Sequence, residues 1–301
     1  MQKPLFTVII PTFNRSEILN KCLDSLNKQT IQLNDIQIIV IDDGSTDQTE
    51  EITKKGANIF PNFKYIRQEN LGQGNARNNG LKHAKGEIIL FIGDDIILEN
   101  NALEKHKEVH DKHSETNSAV LGLVIWHPEI QITDFMKWLT TGKKGGSQFA
   151  YDLLEGKQVA DYRFFYTSNI SLKKTLIDKY EFDPDFKNYG WEDIELGYRL
   201  TQKENLKIYF EPLAIGYHYH EINEQSLEKR MISIGESAWI FQKKHPELKI
   251  VPPRWKKMIF KTISSSPILF IAKKINKNFY YHALSKKFLL KGLNNNRPTA
   301  W

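Results

Sequence analysis

The feature that most constrains this chain is a series of short, continuous apolar runs, each closed by a polar cluster. Thr7 to Ile10 (TVII) runs into Pro11-Thr12-Phe13-Asn14-Arg15, Ile36 to Ile41 (IQIIVI) into Asp42-Asp43-Gly44, and Glu87 to Ile92 (EIILFI) into Gly93-Asp94-Asp95. Phe63 to Arg67 reads as a further strand. Between the runs lie helical patterns at Glu17 to Asn27, capped by Asn14 or Ser16, at about Asp47 to Lys55, capped by Ser45 or Thr46, and at Asn75 to Lys85. Strands apolar at every position and separated by helices predict an α/β domain with a mostly parallel central sheet covered on both faces. Right-handed crossovers put every strand's carboxyl end on one edge, the edge where open α/β sheets bind ligands. All three polar clusters fall there.

The second half is less regular. Leu121 to Trp126 and Phe164 to Leu172 read as strands, Trp191 to Gln202 as a helix, Lys207 to Phe210 as a strand closing at Pro212, and Gln225 to Lys244 as a long helix. Pro128 to Tyr151 reads as a loop or lid. The predicted organisation is one α/β domain over 1–222 in two halves, 1–115 and 116–222, with a helical, basic, amphipathic extension over 223–301.

Charge is unevenly placed. The chain carries a net +6, yet Ile250 to Trp301 holds eleven Lys and Arg and no Asp or Glu, leaving the rest net acidic. Excess confined to one end implies a local docking surface and argues against nucleic acid as a partner. Basic residues interleaved with Trp255, Ile259, Phe260 and an apolar Pro267 to Ile275 predict peripheral membrane contact through 253–291, the alternative being a helical pair packed on the α/β domain or on a partner subunit. The single cysteine, Cys22, lies at helical spacing with Leu19 and Leu26 and reads as core. Without a leader-like apolar run or a span-length window, the expectation is a cytoplasmic protein, peripheral on the inner face of the cytoplasmic membrane.

Several clusters carry candidate chemistry. Asp94 and Asp95 repel each other and call for a cation at the strand end. Gly72-Gln73-Gly74-Asn75-Ala76-Arg77 invites a dinucleotide reading, but Arg77 stands where close helix packing wants glycine, and an arginine at a helix start suits a phosphate better. Trp191-Glu192-Asp193 opens a helix with an aromatic face and two carboxylates, a sugar-binding combination. His218 and His220 alternate on an extended segment, and either could ligate a metal.

The set VIIPTFNR, IVIDDGSTD, ENLGQGNARNNGL, GEIILFIGDD, TSNISLKK and GWEDIELGYRL, in this order, resembles the family 2 glycosyltransferases of the GT-A fold over roughly residues 4 to 220. GWED also resembles the motif of β-1,4-galactosyltransferase-like and chondroitin-polymerase-like enzymes. The resemblance implies an inverting, metal-dependent hexosyltransferase that takes a nucleotide sugar, with a lean to a UDP-sugar, and a glycan or lipid-linked glycan acceptor, as in polysaccharide biosynthesis. It implies Mn2+ or Mg2+ as cofactor, held by Asp95 with His218 or His220. It places Pro11, Thr12, Asn14, Arg15, Asp42, Asp43, Gly74, Arg77, Asp94 and Asn169 around the nucleotide sugar, makes Asp193 the catalytic base, and gives Glu192 and Trp191 to the acceptor. One departure stands out: the family's D-x-D lacks its first aspartate here, where Gly93 precedes Asp94 and Asp95. That keeps an alternative open, a catalytically weak nucleotide-sugar or glycan-binding module with a docking tail.

Overall fold

The computed structural model describes residues 3–143, 145–146 and 148–296. In chain order the elements are β1 (Phe6–Thr12), α1 (Ser16–Asn27), β2 (Ile36–Asp42), α2 (Thr49–Ile59), β3 (Asn62–Arg67), α3 (Gln73–Leu81), β4 (Ile88–Ile92), β5 (Ile96–Leu98), α4 (Ala102–Lys112), β6 (Ser118–Trp126), α5 (Asp134–Leu139), β7 (Val159–Ala160), β8 (Asn169–Lys173), α6 (Lys174–Ile177), α7 (Glu192–Glu204), β9 (Lys207–His218), α8 (Ser226–Lys244), α9 (Arg254–Ile263), α10 (Ser266–Ile275) and α11 (Lys277–Asn295). The chain forms two compact units. The first takes the residues up to Ile130, Gly156–Lys187 and Glu192–His220; the second takes Gln131–Glu155, Asn188–Trp191 and the residues from Glu221 on.

In the first unit, the described strands form one sheet in the order β3-β2-β1-β4-β8-β6-β9-β5, with β7 beside β9. The β3-β2-β1-β4 portion is parallel, as its apolar runs predict. Every residue of β1, β2 and β4 is buried, which requires cover on both faces, whereas β3, at the sheet's end, is half-exposed. Beyond β4 the sheet is mixed: β8 runs antiparallel to β4 and β6, and β9 runs parallel to β6.

Two local readings change. Strand β9 continues through Pro212 to His218. The ladder with β6 breaks between Gly122 and Leu123, so Pro212 falls where no backbone N–H is required. The expected side-chain caps of α1 and α2 are absent. Instead Asp47 serves both helices, accepting from the Ser16 amide at 2.9 Å and the Thr49 amide at 3.1 Å. One carboxylate thereby ties the loop after β1 to the loop after β2.

The second unit is helical. Helices α8 and α11 approach closely because glycines face the contact: a Cβ on Gly292 would stand 2.1 Å from the Ile232 carbonyl oxygen, and one on Gly235 2.6 Å from that of Leu289. Trp239 packs on Leu293 and donates its indole N–H to the Leu293 carbonyl at 2.7 Å. The stretch read as a loop or lid contains α5, whose Phe135, Met136, Trp138 and Leu139 are buried, with Phe135 edge-on to Tyr281. Six residues are too few to show a helical period, and the apolar load of these four explains why they fold inward.

Candidate active site

The strand ends of the first unit are knitted together. Asn14, with φ of 53°, accepts from the Thr46 amide through its side-chain oxygen at 2.7 Å and donates its backbone N–H to Ser45 Oγ. Asp42 is buried and accepts from the Ser45 amide and the Tyr65 hydroxyl, each at 2.7 Å. Asp43, also buried, accepts from Gln68 Nε2, the Leu71 amide and the Gly72 amide, fixing the loop that leads into α3. Both aspartates therefore shape the edge, and their carboxylates are committed to the protein's own donors.

The Asp94-Asp95 pair lies in the middle of this edge. Thr12 donates its hydroxyl to Asp94 Oδ2 at 2.7 Å. Arg15 Nη1 reaches both carboxylates, Asp94 Oδ1 at 3.1 Å and Asp95 Oδ2 at 2.8 Å. The end of β9 joins them: Tyr219 donates its amide to the Asp95 carbonyl, and His218 Nε2 stands 3.5 Å from Asp95 Oδ2. Burial and the neighbouring Asp95 push the Asp94 carboxyl up to about 6, against the pull of Arg15. Burial acts on Asp95 the same way, but His218, Arg15 and His220 together hold it below the usual carboxylate range. The two acids are thus differentiated, and Asp95 is the one kept ionised.

Oxygen and imidazole donors at one buried point suit a divalent cation such as Mn2+ or Mg2+. Among the described residues no group of three or more ligating side chains closes such a site unaided. Mg2+ in particular is commonly held by one or two carboxylates, with substrate phosphates taking other positions. Asp95 and His218 bring one carboxylate and one imidazole within 3.5 Å of each other. His220, half-buried with its ring 6.2 Å from that of His218, stands behind them.

A second acidic pair opens α7. Glu192 is buried and meets Arg77 Nη1 at 3.4 Å. Arg77 is itself buried, bonds Gln73 Oε1 at 3.1 Å and lies over the Phe182 ring. Its guanidinium serves the acidic pair first. The contact also puts Glu192 at the start of α3, hence on the edge where β3 ends. Gly74, likewise buried, brings the α3 backbone against Phe182 and Glu192. Asp193 keeps a solvent-facing edge, but protein crowds its carboxyl. Burial first, and then Glu192, push it up to about 7, against Arg77 and the backbone amides of Ile194 and Thr167.

Three expected site residues have other engagements. Asn169 is fully buried in β8, donating to the Ala214 carbonyl at 2.9 Å and meeting His106 Nε2 at 3.0 Å. Pro11 is buried within β1. Trp191 belongs to the second unit, half-buried, with φ of 75° and its indole N–H donated to the Ile234 carbonyl at 3.1 Å. A tryptophan in the left-handed region is strained, and such strain tends to mark functional segments. Sequence reasoning missed Gln73, Trp126, whose ring stands edge-on to His218 at 5.0 Å, and the Thr167 amide on Asp193. A signal existed for Thr167, in the TSN segment, and for Gln73, in the GQGNAR segment, but not for Trp126.

Comparison with known proteins bears on this site. Residues 7–143 match the family described as Glycosyl transferase family 2. Validoxylamine A glucosyltransferase of Streptomyces hygroscopicus subsp. jinggangensis is 28% identical over 267 residues, covering 81% of this chain and 62% of the relative. The chain thus spans about three fifths of that relative's length. The dolichyl N-acetyl-α-D-glucosaminyl phosphate 3-β-D-2,3-diacetamido-2,3-dideoxy-β-D-glucuronosyltransferase of Methanococcus voltae is 27% identical over 246 residues, covering 79% of this chain and 74% of the relative. In fold, the chain superposes on a mannosyltransferase from Pyrobaculum calidifontis, solved with GDP-Man and Mn2+, with a TM-score of 0.67 at 18% identity over 98% of this chain and 87% of that one. The fold is the GT-A fold; the family matched over residues 7–143 and the two relatives named above are described as glycosyltransferases.

Proposed function

We propose that the chain transfers a sugar, with inversion, from a nucleotide sugar to a hydroxyl of a glycan or lipid-linked glycan, and that Asp193 is the base. The observation that carries this reading is the Asp193 carboxyl, poised near neutrality beside Glu192 and Arg77 on the same sheet edge as the Asp94-Asp95 pair. A carboxylate tuned to that range can take a proton at physiological pH and release it again. It removes the acceptor hydroxyl proton as that oxygen bonds to the anomeric carbon. The bond from that carbon to the diphosphate breaks in the same step, and the leaving group carries the electron pair away. Glu192, fixed by Arg77, lies beside the incoming hydroxyl and orients it.

Thr12, Arg15 and Asp94 would face the donor's ribose and diphosphate. Asp95 with His218 or His220 would hold Mn2+ or Mg2+, which when bound neutralises charge on the departing diphosphate. The Mn2+ and GDP-Man of the Pyrobaculum structure support a metal and a nucleotide sugar as ligand classes. The dolichyl-linked substrate in the name of the Methanococcus relative supports a lipid-linked acceptor. Such an acceptor would lie at the inner face of the cytoplasmic membrane, and this reading puts the enzyme there.

The test is a screen of UDP- and GDP-sugars for donor hydrolysis with manganese, repeated with chelator and with Asp193→Asn. Metal-dependent release of the nucleotide diphosphate from one donor supports the reading. Donor binding without hydrolysis under any metal replaces it with the binding-module alternative that Gly93, in place of the first aspartate, favours.

A further inference from the structure

Helices α9 and α10 follow one another in the second unit, and each turns an apolar stripe to solvent. In α9 the stripe is Trp255, Met258 and Ile259, at 59%, 71% and 49% exposure and at helical spacing. In α10 it is Phe270, Ile271 and Ile275, at 65%, 54% and 79%. Helix α10 already has a second apolar side, Leu269 and Ala272, that is buried. Its outward stripe is therefore surplus to folding. Large apolar side chains repeated over two helices mark a surface that something covers.

The surrounding charge says what. From Ile250 to Trp301 the chain has eleven Lys and Arg and no Asp or Glu. Lys256 stands 5.3 Å from the Trp255 ring centroid, and Lys274 4.4 Å from that of Phe270. Ammonium groups thus lie against the very aromatics that face out. A second copy seated on this surface would set lysines against lysines with no carboxylate between them, because a two-fold interface uses the same patch twice. A bilayer with anionic headgroups meets both requirements: its acyl boundary covers the apolar stripes, and its phosphates accept from the lysines. Among the described residues no helix is long and apolar enough to cross a membrane, and at ten residues α9 and α10 can only lie along one.

We propose that the exposed faces of α9 and α10 form a docking surface for an anionic phospholipid bilayer. The proposal goes beyond the transfer reaction and does not rest on it, since vesicle binding is read with neither donor nor acceptor present.

The experiment is flotation of the full chain with phosphatidylcholine vesicles, with and without phosphatidylglycerol, at low and high salt. Phe270→Asp with Ile271→Asp removes apolar contact at exposed positions, and Lys256→Glu with Lys274→Glu removes charge; circular dichroism checks that both variants fold. The expected result is flotation with phosphatidylglycerol vesicles only, weakened by salt, with roughly a tenfold or greater loss of partitioning in each double variant. Trp255→Phe should also diminish the blue shift in tryptophan fluorescence on adding those vesicles. Equal flotation with neutral vesicles, no flotation at all, or folded variants that float like wild type would overturn the proposal. Self-association in solution that Phe270→Asp with Ile271→Asp abolishes would replace it with a second copy as the occupant.

Discussion

Arg15 Nη1 lies 2.8 Å from Asp95 Oδ2 and 3.1 Å from Asp94 Oδ1, so one guanidinium spans both carboxylates at the end of β4. That arrangement relieves a repulsion that would otherwise burden the protein alone. It also means that a divalent cation arriving at Asp95 meets a positive charge already seated. On the proposed function, a bound diphosphate would offer the same arginine a better partner, because its fork suits phosphate oxygens.

Arg15→Gln should therefore tighten binding of Mn2+ alone several-fold and weaken binding of the nucleotide diphosphate with metal. Calorimetric titration with Mn2+, with and without nucleotide, reads both. Weaker Mn2+ binding in the variant would show that Arg15 supports the metal site.

Asp95→Ala removes the one acid of the pair that its neighbours keep ionised. The loss expected is several kcal/mol of transition-state stabilisation, on the order of what metal polarisation supplies. Steady-state rates across a manganese series check it. A variant retaining full activity, or a wild type indifferent to chelator, would remove Asp95 from a metal role.

Much of this was readable in the sequence, for a definite reason. A buried parallel strand must be apolar at every position, so Val8 to Ile10 and Ile38 to Ile41 announce themselves, and the polar residues after them must lie at the ligand edge. What was not readable are partnerships between residues far apart in the chain. Arg15 with Asp95, Arg77 with Glu192 and Asp47 with two helix starts depend on loops meeting, and no local period encodes that. Strand β9 was cut short because Pro212 ends a strand in isolation; the break in the β6 ladder that tolerates it is invisible in one chain segment.

Asp193 carries a prediction in pH. If it is the base, kcat/KM should fall as pH drops through about 7, and Asp193→Asn should lose that limb together with roughly 10²–10⁴ in transfer rate. Stability moves in the opposite sense. The folded carboxyl titrates near 7 and the unfolded one near 3.8, so between those values the native state holds a proton that the unfolded state releases. Stability must then decline as pH rises across that window, and the full cost is present above it. Asp193→Asn should raise Tm by a few degrees at pH 8 and leave it little changed at pH 4. A melt insensitive to the substitution at both pH values would mean that the carboxyl is not held in this environment.

Arg77 is the cation that makes the second acidic pair tolerable. Its side chain and that of Glu192 are only 4% and 8% exposed, and the pair is joined at 3.4 Å. Removing one partner of a buried ion pair typically costs 3–5 kcal/mol, and the loss of Arg77 should approach roughly that scale. Arg77→Met keeps the length and the contact with Phe182 but removes the charge. It should lower the denaturant midpoint substantially and push the Asp193 carboxyl further up, moving the acid limb of kcat/KM to higher pH. The double variant Arg77→Met with Glu192→Gln should recover much of the stability, because the acid that Arg77 meets is removed with it and Asp193 loses the repulsion of Glu192. Stability recovered without restored transfer would separate the two duties of this contact, support for the fold and placement of Glu192 beside the base. Failure of the double variant to recover any stability would mean that Arg77 acts through packing on Phe182 and not through its charge.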